Sequence, residues 1–280
     1  GIPNDEVKII CCEGNFHGRT ITIITMSNDP DSYANYGPLT PGFIRIPYND
    51  PDALEAVLAE HGHKIAGFLL EPIQGEAGVY VPDEGYLKKC YDICKKYNVL
   101  FMADEVQSGI ARTGKMLACD HENVRPDILI LGKALSGGVV PVSAVLADDY
   151  IMMNIKPGEH GSTFGGNPIA AKVSMAALQV IKDENLMEKA EYLGNIFREE
   201  MRKIDSPMIE LVRGKGLLNA VIIKPKDGKE AWDVCMKMKE NGVLAKPTHQ
   251  HIIRFAPPLV ITEEELRAAI EIIKETILSF

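Results

Sequence analysis

Five short apolar runs recur along the chain up to about residue 184: Val7 to Cys12, Ala66 to Leu70, Val99 to Ala103, Ile128 to Leu131 and Val142 to Leu146. Each reads as a strand, and the stretches between them carry helical periodicity. The clearest is Tyr86 to Tyr97, YLKKCYDICKKY, which places Leu87, Cys90, Tyr91 and Cys94 on one inward stripe. Strands separated by helices make βαβ units. The expected fold is therefore α/β, a mainly parallel sheet sandwiched by helices.

A second region begins after Asn167-Pro168, which caps a helix running to about Lys182. An amphipathic helix then buries Ala190, Leu193, Phe197, Met201 and Ile204. Asn219 to Ile223 and Ile252 to Phe255 follow as strands, with a helix around Trp232 between them. The last helix opens on Thr262 and Glu265 as a capping box. With 280 residues and 46% apolar composition, one large and one smaller domain are expected, 1–184 and 185–280, the second α+β.

Charge and apolar patterning exclude several classes of function. A net charge of -9 with dispersed Lys and Arg implies no nucleic-acid surface. No apolar run approaches the ~20 residues that span a bilayer, so no membrane role is expected. The six cysteines lack CxxC spacing and scaffold density, which favours a reducing, intracellular compartment. Cys90 and Cys94 read as core packing, His61/His63 and His249/His251 as loop residues, and no metal site is assigned.

Two places carry chemistry. Val99 to Ala103 ends in Asp104-Glu105, and Asp127 to Leu131 reads as a buried strand followed by Gly132-Lys133, so an ammonium sits at a strand's carboxyl end, where α/β sheets bind ligands. Asp104-Glu105 has three readings: solvated charges, a Mg²⁺ site of a nucleotide hydrolase, or half of a cofactor site. The hydrolase draws support from the GxxxxGK spacing of Gly109 to Lys115. However, Met116 stands where a metal-binding Ser or Thr belongs, and the glycines follow ADEVQS rather than a strand. Pairing Asp104 with Lys133 suits pyridoxal phosphate, which needs a partly desolvated lysine to condense with its aldehyde and an acid for its ring nitrogen.

Six segments in register sharpen that last reading: EGNFHGRT (Glu13 to Thr20), EPIQGEAG (Glu71 to Gly78), ADEVQ (Ala103 to Gln107), LGKALSGG (Leu131 to Gly138), EHGSTFGGNP (Glu159 to Pro168) and IIRFAPPLVI (Ile252 to Ile261). Together they resemble the ornithine aminotransferases, from about Asp5 to the C-terminus. The resemblance implies a fold-type I, pyridoxal-phosphate-dependent homodimer. In it Lys133 would hold the cofactor aldehyde, Asp104 would bond the ring nitrogen, Phe16 would stack on the ring and Gln107 would approach the ring hydroxyl. Ser162 and Thr163 would reach a phosphate across the dimer interface.

The resemblance also implies the substrates. Arg19 would clamp the α-carboxylate of ornithine, presenting the δ-amine to the cofactor. Arg254 would clamp 2-oxoglutarate, with Glu76 masking it by an ion pair while ornithine is bound. The products would be glutamate and glutamate 5-semialdehyde, which cyclises to pyrroline-5-carboxylate. Acetylornithine or 4-aminobutyrate aminotransferase, and a non-catalytic assembly partner, are the competing expectations. The family's upstream phosphate cradle has no counterpart here, so the chain is expected to be the C-terminal two-thirds of the enzyme and to bind cofactor weakly alone.

Overall fold

A computed structural model describes residues 1–280. Contacts divide the chain into two compact units: Gly1–Pro72, Pro82–Ile110 and Ala118–Val180 form the first, while Ile73–Val81, Ala111–Leu117 and Ile181–Phe280 form the second. A single cut after residue 184 has no means of assigning the two excursions. Their packing accounts for them. Ile73 and Val79 pack with Leu218, Ala220 and Ile252, and half-buried Arg112 donates to the carbonyls of Leu217 and Pro257.

The first unit holds a six-stranded sheet in the order β2-β1-β3-β4-β5-β6. The strands are β1 (Lys8–Cys12), β2 (Phe43–Ile46), β3 (Ile65–Leu70), β4 (Leu100–Asp104), β5 (Ile128–Leu131) and β6 (Ala144–Ala147). All neighbours pair in parallel except β5 and β6, which are antiparallel. On one face, helices Pro51–His61 and Tyr86–Lys96 cover the sheet through Leu54, Leu58, Tyr86, Leu87, Cys90, Ile93 and Cys94. The stripe expected of Tyr86 to Tyr97 is that buried face, with Tyr91 half-buried at its rim and edge-on to Phe101. Toward the other end of the sheet the cover thins. β5 is half-buried along its length rather than buried, and Val145 and Leu146 of β6 are exposed.

The second unit is an antiparallel sheet, β7-β8-β10-β9, of β7 (Ile209–Lys215), β8 (Leu218–Ile223), β9 (Lys246–Thr248) and β10 (Ile252–Phe255). Alternation splits its residues by face. Val221, Ile223, Ile253 and Phe255 enter the core with helices Leu186–Arg202, Ala231–Glu240 and Glu263–Leu278. Leu218, Ala220 and Ile252 point the other way, onto the 73–81 excursion. The capping box is present: Thr262 Oγ1 accepts from Glu265 N at 3.1 Å, and Glu265 Oε2 accepts from Thr262 N at 2.8 Å. Asn167 Oδ1 caps helix Pro168–Asp183 by accepting from Ala170 N at 2.9 Å.

All six cysteines are free and buried. Burial pushes the thiols of Cys11, Cys90 and Cys235 up to about 12, and those of Cys12, Cys94 and Cys119 higher still. An unfolded thiol ionises near pH 9, so below that pH both states are neutral and these groups add no pH dependence. Above it the unfolded chain ionises first and stability is lost as pH rises. By pH 10 each such thiol should favour unfolding by about 1.4 kcal/mol. Urea midpoints at pH 8 and pH 10 should therefore separate clearly, and a thiol reagent at pH 8 should label the native protein slowly and all six positions after denaturation. Rapid native labelling of adjacent Cys11 and Cys12 would contradict this.

Candidate active site

Parallel pairing puts the carboxyl ends of β1, β3, β4 and β5 on one edge of the first unit's sheet, and each strand delivers a chemically distinctive side chain there. Past β1 come Phe16, His17 and Arg19. Glu71 follows β3, Asp104 ends β4, and Lys133 stands two residues beyond β5. β4 and β5 are neighbours, with Asp104 opposite Ile130, so the acid and the amine expected to work together lie at adjacent strand ends.

Asp104 is buried and doubly fixed. Its Oδ1 accepts from Val106 N at 3.0 Å, and its Oδ2 accepts from His17 Nδ1 at 2.7 Å. The side chains of His17 and Asp104 are 2% and 8% exposed, so solvent does little to screen the pair. His17 Nε2 is buried without a hydrogen-bond partner. Glu105, the other half of the acidic pair, turns inward: Ser108 Oγ donates to its Oε2 at 2.5 Å and Cys119 N donates to its Oε1 at 2.8 Å. Burial pushes the Glu105 carboxyl up. Neither carboxylate is solvated, which removes the blandest reading of the pair, and their different surroundings leave only Asp104 facing the edge.

Around Asp104, Phe16 is held by its backbone N–H, which donates to buried Glu71 Oε2 at 3.0 Å, and the Arg19 guanidinium lies 5.4 Å from the Phe16 ring centroid. Gln107 is half-buried in the turn after β4. Lys133 begins a short 3₁₀ turn, Lys133–Ser136, with φ +41°, in the left-handed region that side-chain-bearing residues rarely occupy. It is exposed in this chain, where partial desolvation was expected, because the β5–β6 end of the sheet lacks the cover that β1, β3 and β4 have. Ser162 and Thr163 are also exposed, in the loop before helix Pro168–Asp183, and neither side chain bonds the residues around Asp104.

The second unit holds the other expected pair. Register aligns Arg213, Ala220, Arg254 and Lys246 in one row across β7, β8, β10 and β9. Over this row runs the 73–81 excursion. Arg254 Nη1 donates to Gly75 O at 2.9 Å, and Arg254 Nη2 pairs with Glu76 Oε2 at 2.9 Å. Arg213 donates twice to Gly78 O, at 3.1 and 2.8 Å, and stacks 3.7 Å from the Tyr80 ring centroid. Gly78 takes φ +123°, which side-chain-bearing residues rarely adopt, and a Cβ there would lie 2.4 Å from Ile252 Cδ1, which would have to move. The GIARTGK segment is structural: Arg112 is half-buried in the second unit, and desolvation pushes its guanidinium down to about 10.

Two residues of the first site escaped the sequence reading. His17 and Glu71 both lie inside the motifs quoted above, but their partners are 87 and 55 positions away. Only the strand order, with β3 between β1 and β4, brings them together. No group of three or more His, Cys, Asp or Glu side chains is arranged to hold a metal ion.

The aminotransferase class-III family matches residues 3–277. The mitochondrial ornithine aminotransferase of Rattus norvegicus is 56% identical over 100% of this chain and 63% of its own length. A structure of the ornithine aminotransferase of Toxoplasma gondii, described as having partial occupancy of PLP at its active site, superposes with a TM-score of 0.96 at 51% identity, covering 99% of this chain and 65% of that one. The acetylornithine aminotransferase of Elizabethkingia anophelis superposes with a TM-score of 0.88 at 58% identity, covering 100% of this chain and 67% of that one. This chain thus spans slightly less than two-thirds of the rat and Toxoplasma relatives.

Proposed function

We propose, from the premise that the chain belongs to the class-III aminotransferases, that it is the larger part of an ornithine δ-aminotransferase using pyridoxal phosphate and 2-oxoglutarate. One observation carries the reading: a buried, doubly fixed Asp104 and the strained Lys133 stand at adjacent strand ends on one edge of a parallel sheet. The residues fit the cofactor. A protonated ring nitrogen needs a buried acid held in one orientation, and Asp104 is that acid. The buried, unpartnered His17 Nε2 marks a polar position beside it.

When bound, pyridoxal phosphate supplies an aldehyde that takes up an amine and a protonated ring that accepts electrons. Lys133 Nζ would hold the aldehyde at rest and move a proton from the substrate carbon bearing the transferred amine. Asp104 would keep the ring nitrogen charged, Phe16 would cover the ring face and Gln107 would bond its hydroxyl. In the first half-reaction Arg19 would bind the α-carboxylate of ornithine while Glu76 occupies Arg254. In the second, Arg254 would bind 2-oxoglutarate. An ion pair between Arg254 and Glu76 suits that alternation, because a planar guanidinium accepts either carboxylate in the same geometry.

On this reading the first unit, which holds most of 1–184, is the cofactor-binding domain, and the second, built mainly on 185–280, is the smaller one. A second copy of the chain would complete the site. Phe164 and Ile169, in and just after the loop that carries Ser162 and Thr163, are large, apolar and exposed, which suits a surface that a second copy covers. Sedimentation of the full-length protein should give twice the monomer mass. Six buried free thiols support an intracellular compartment, and no helix is long and apolar enough to cross a membrane.

The test is the full-length protein with ornithine and 2-oxoglutarate, following cofactor absorbance and trapping pyrroline-5-carboxylate. The identity with an acetylornithine aminotransferase favours a second reading, which wins if N-acetylornithine is the better amine donor. Arg254→Ala should lower kcat/KM of the 2-oxoglutarate half by about 10- to 100-fold, the value of a charge-assisted bond. The ornithine half should lose far less, and equal losses would count against separate clamps.

A further inference from the structure

Glu76 has two cations within reach. Its Oε2 pairs with Arg254 Nη2 at 2.9 Å, while its Oε1 lies 3.9 Å from Lys246 Nζ. The arrangement follows from the sheet. Lys246 and Arg254 are directly opposed on β9 and β10, and opposed residues of an antiparallel pair extend from the same face with neighbouring Cβ atoms. The next residue in the row is Ala220 of β8, fully buried, which offers no competing charge. Beyond it Arg213 is engaged by Gly78 and Tyr80. Glu76 therefore sits above a pair of cations of unequal character. Arg254 is 12% exposed and Lys246 is 62% exposed, so the pairing with Arg254 is screened less and holds the carboxylate in the resting arrangement.

We infer that Lys246 is a positioning residue for the second half-reaction: it receives the Glu76 carboxylate when a dicarboxylate oxo acid displaces it from Arg254. This rests on the reading of Arg254 as the oxo-acid clamp and Glu76 as its mask. Charge balance is the reason. With the incoming carboxylate on Arg254, two anions face one guanidinium unless a second cation is at hand, and like charges so close oppose entry. Lys246 restores neutrality, two cations to two carboxylates. Because Oε1 is already turned toward Nζ, the side chain needs only to pivot.

The test uses the full-length holoenzyme and glutarate, which has the two carboxylates of 2-oxoglutarate and no oxo group to react. Lys246→Met should weaken glutarate binding about two- to five-fold, the range of a solvent-exposed ion pair. It should shift the ratio of half-reaction kcat/KM values toward ornithine by the same factor, while Lys246→Arg should restore both. In a Glu76→Gln background the effect of Lys246→Met should vanish. If it persists there, Lys246 attracts the ligand directly and the inference is overturned. Wild-type binding that depends on Arg254 but ignores Lys246→Met also overturns it, leaving the functional reading intact. Glutarate binding that is indifferent to Arg254→Ala overturns both.

Discussion

Lys133→Ala is expected to abolish covalent retention of the cofactor: after borohydride reduction the full-length wild type should carry pyridoxyl label on one lysine, and the variant none. Turnover should fall to background, because no other amine stands at the carboxyl ends of β4 and β5. The usual alternative explanation, that a substitution unfolds the protein, is weak at this position. Lys133 is exposed, and its φ of +41° already imposes the steric cost of a Cβ in the left-handed region, a cost alanine would carry equally. Substitutions at exposed positions that leave backbone strain unchanged shift stability by about 0.5 kcal/mol or less. Lys133→Arg separates charge from chemistry. It keeps a cation at the strand end but cannot condense with an aldehyde, so it should be as inactive as alanine. Label that survives in either variant would place the covalent link elsewhere and remove the central residue of the functional reading.

Such a prediction could be framed from the sequence because the strands that carry the site announce themselves. The runs before Asp104 and Lys133 are continuous and apolar, and a charge at the end of such a run is conspicuous. The elements that escaped are those whose pattern is broken. β2, FIRI, is interrupted by Arg45, β7 mixes charge along IELVRGK, and β9 is three residues with a central proline. Domain excursions escaped for a related reason. Whether residues 73–81 join the first unit or the second depends on Ile73 and Val79 finding Leu218 and Ile252, more than a hundred positions away. Arg254 and Glu76 were linked by motif, but the row that puts Lys246 beside them is a matter of register, which no run of residues states. Lys133 was expected to be desolvated on its own apolar run. Its exposure depends on the cover over β5 and β6, a property of neighbours rather than of the run.

Asp104→Ala is the second large effect, and its partner His17 makes it informative. The variant should still form the borohydride-reducible link, since Lys133 is untouched, but proton transfer at the substrate carbon should slow by on the order of 10²-fold or more. A loss of that size is typical when one preorganised electrostatic partner is removed from a water-poor site. Stability should fall too, because His17 Nδ1 loses its acceptor in a pocket where the side chain is 2% exposed. An orphaned buried donor costs about 1–3 kcal/mol. Against the ~5–15 kcal/mol of a typical domain the protein stays folded, so thermal melting separates the two losses. His17→Ala should act in the opposite proportion. Asp104 keeps its bond from Val106 N, so the rate should drop only about tenfold while the carboxylate loses one of two fixing contacts. If His17→Ala were as damaging as Asp104→Ala, the imidazole would have to touch the reacting groups itself, with its unpartnered Nε2 as the atom to suspect. If Asp104→Ala left the rate unchanged, the ring nitrogen would have another acid, and the pairing of Asp104 with Lys133 would lose its chemical meaning.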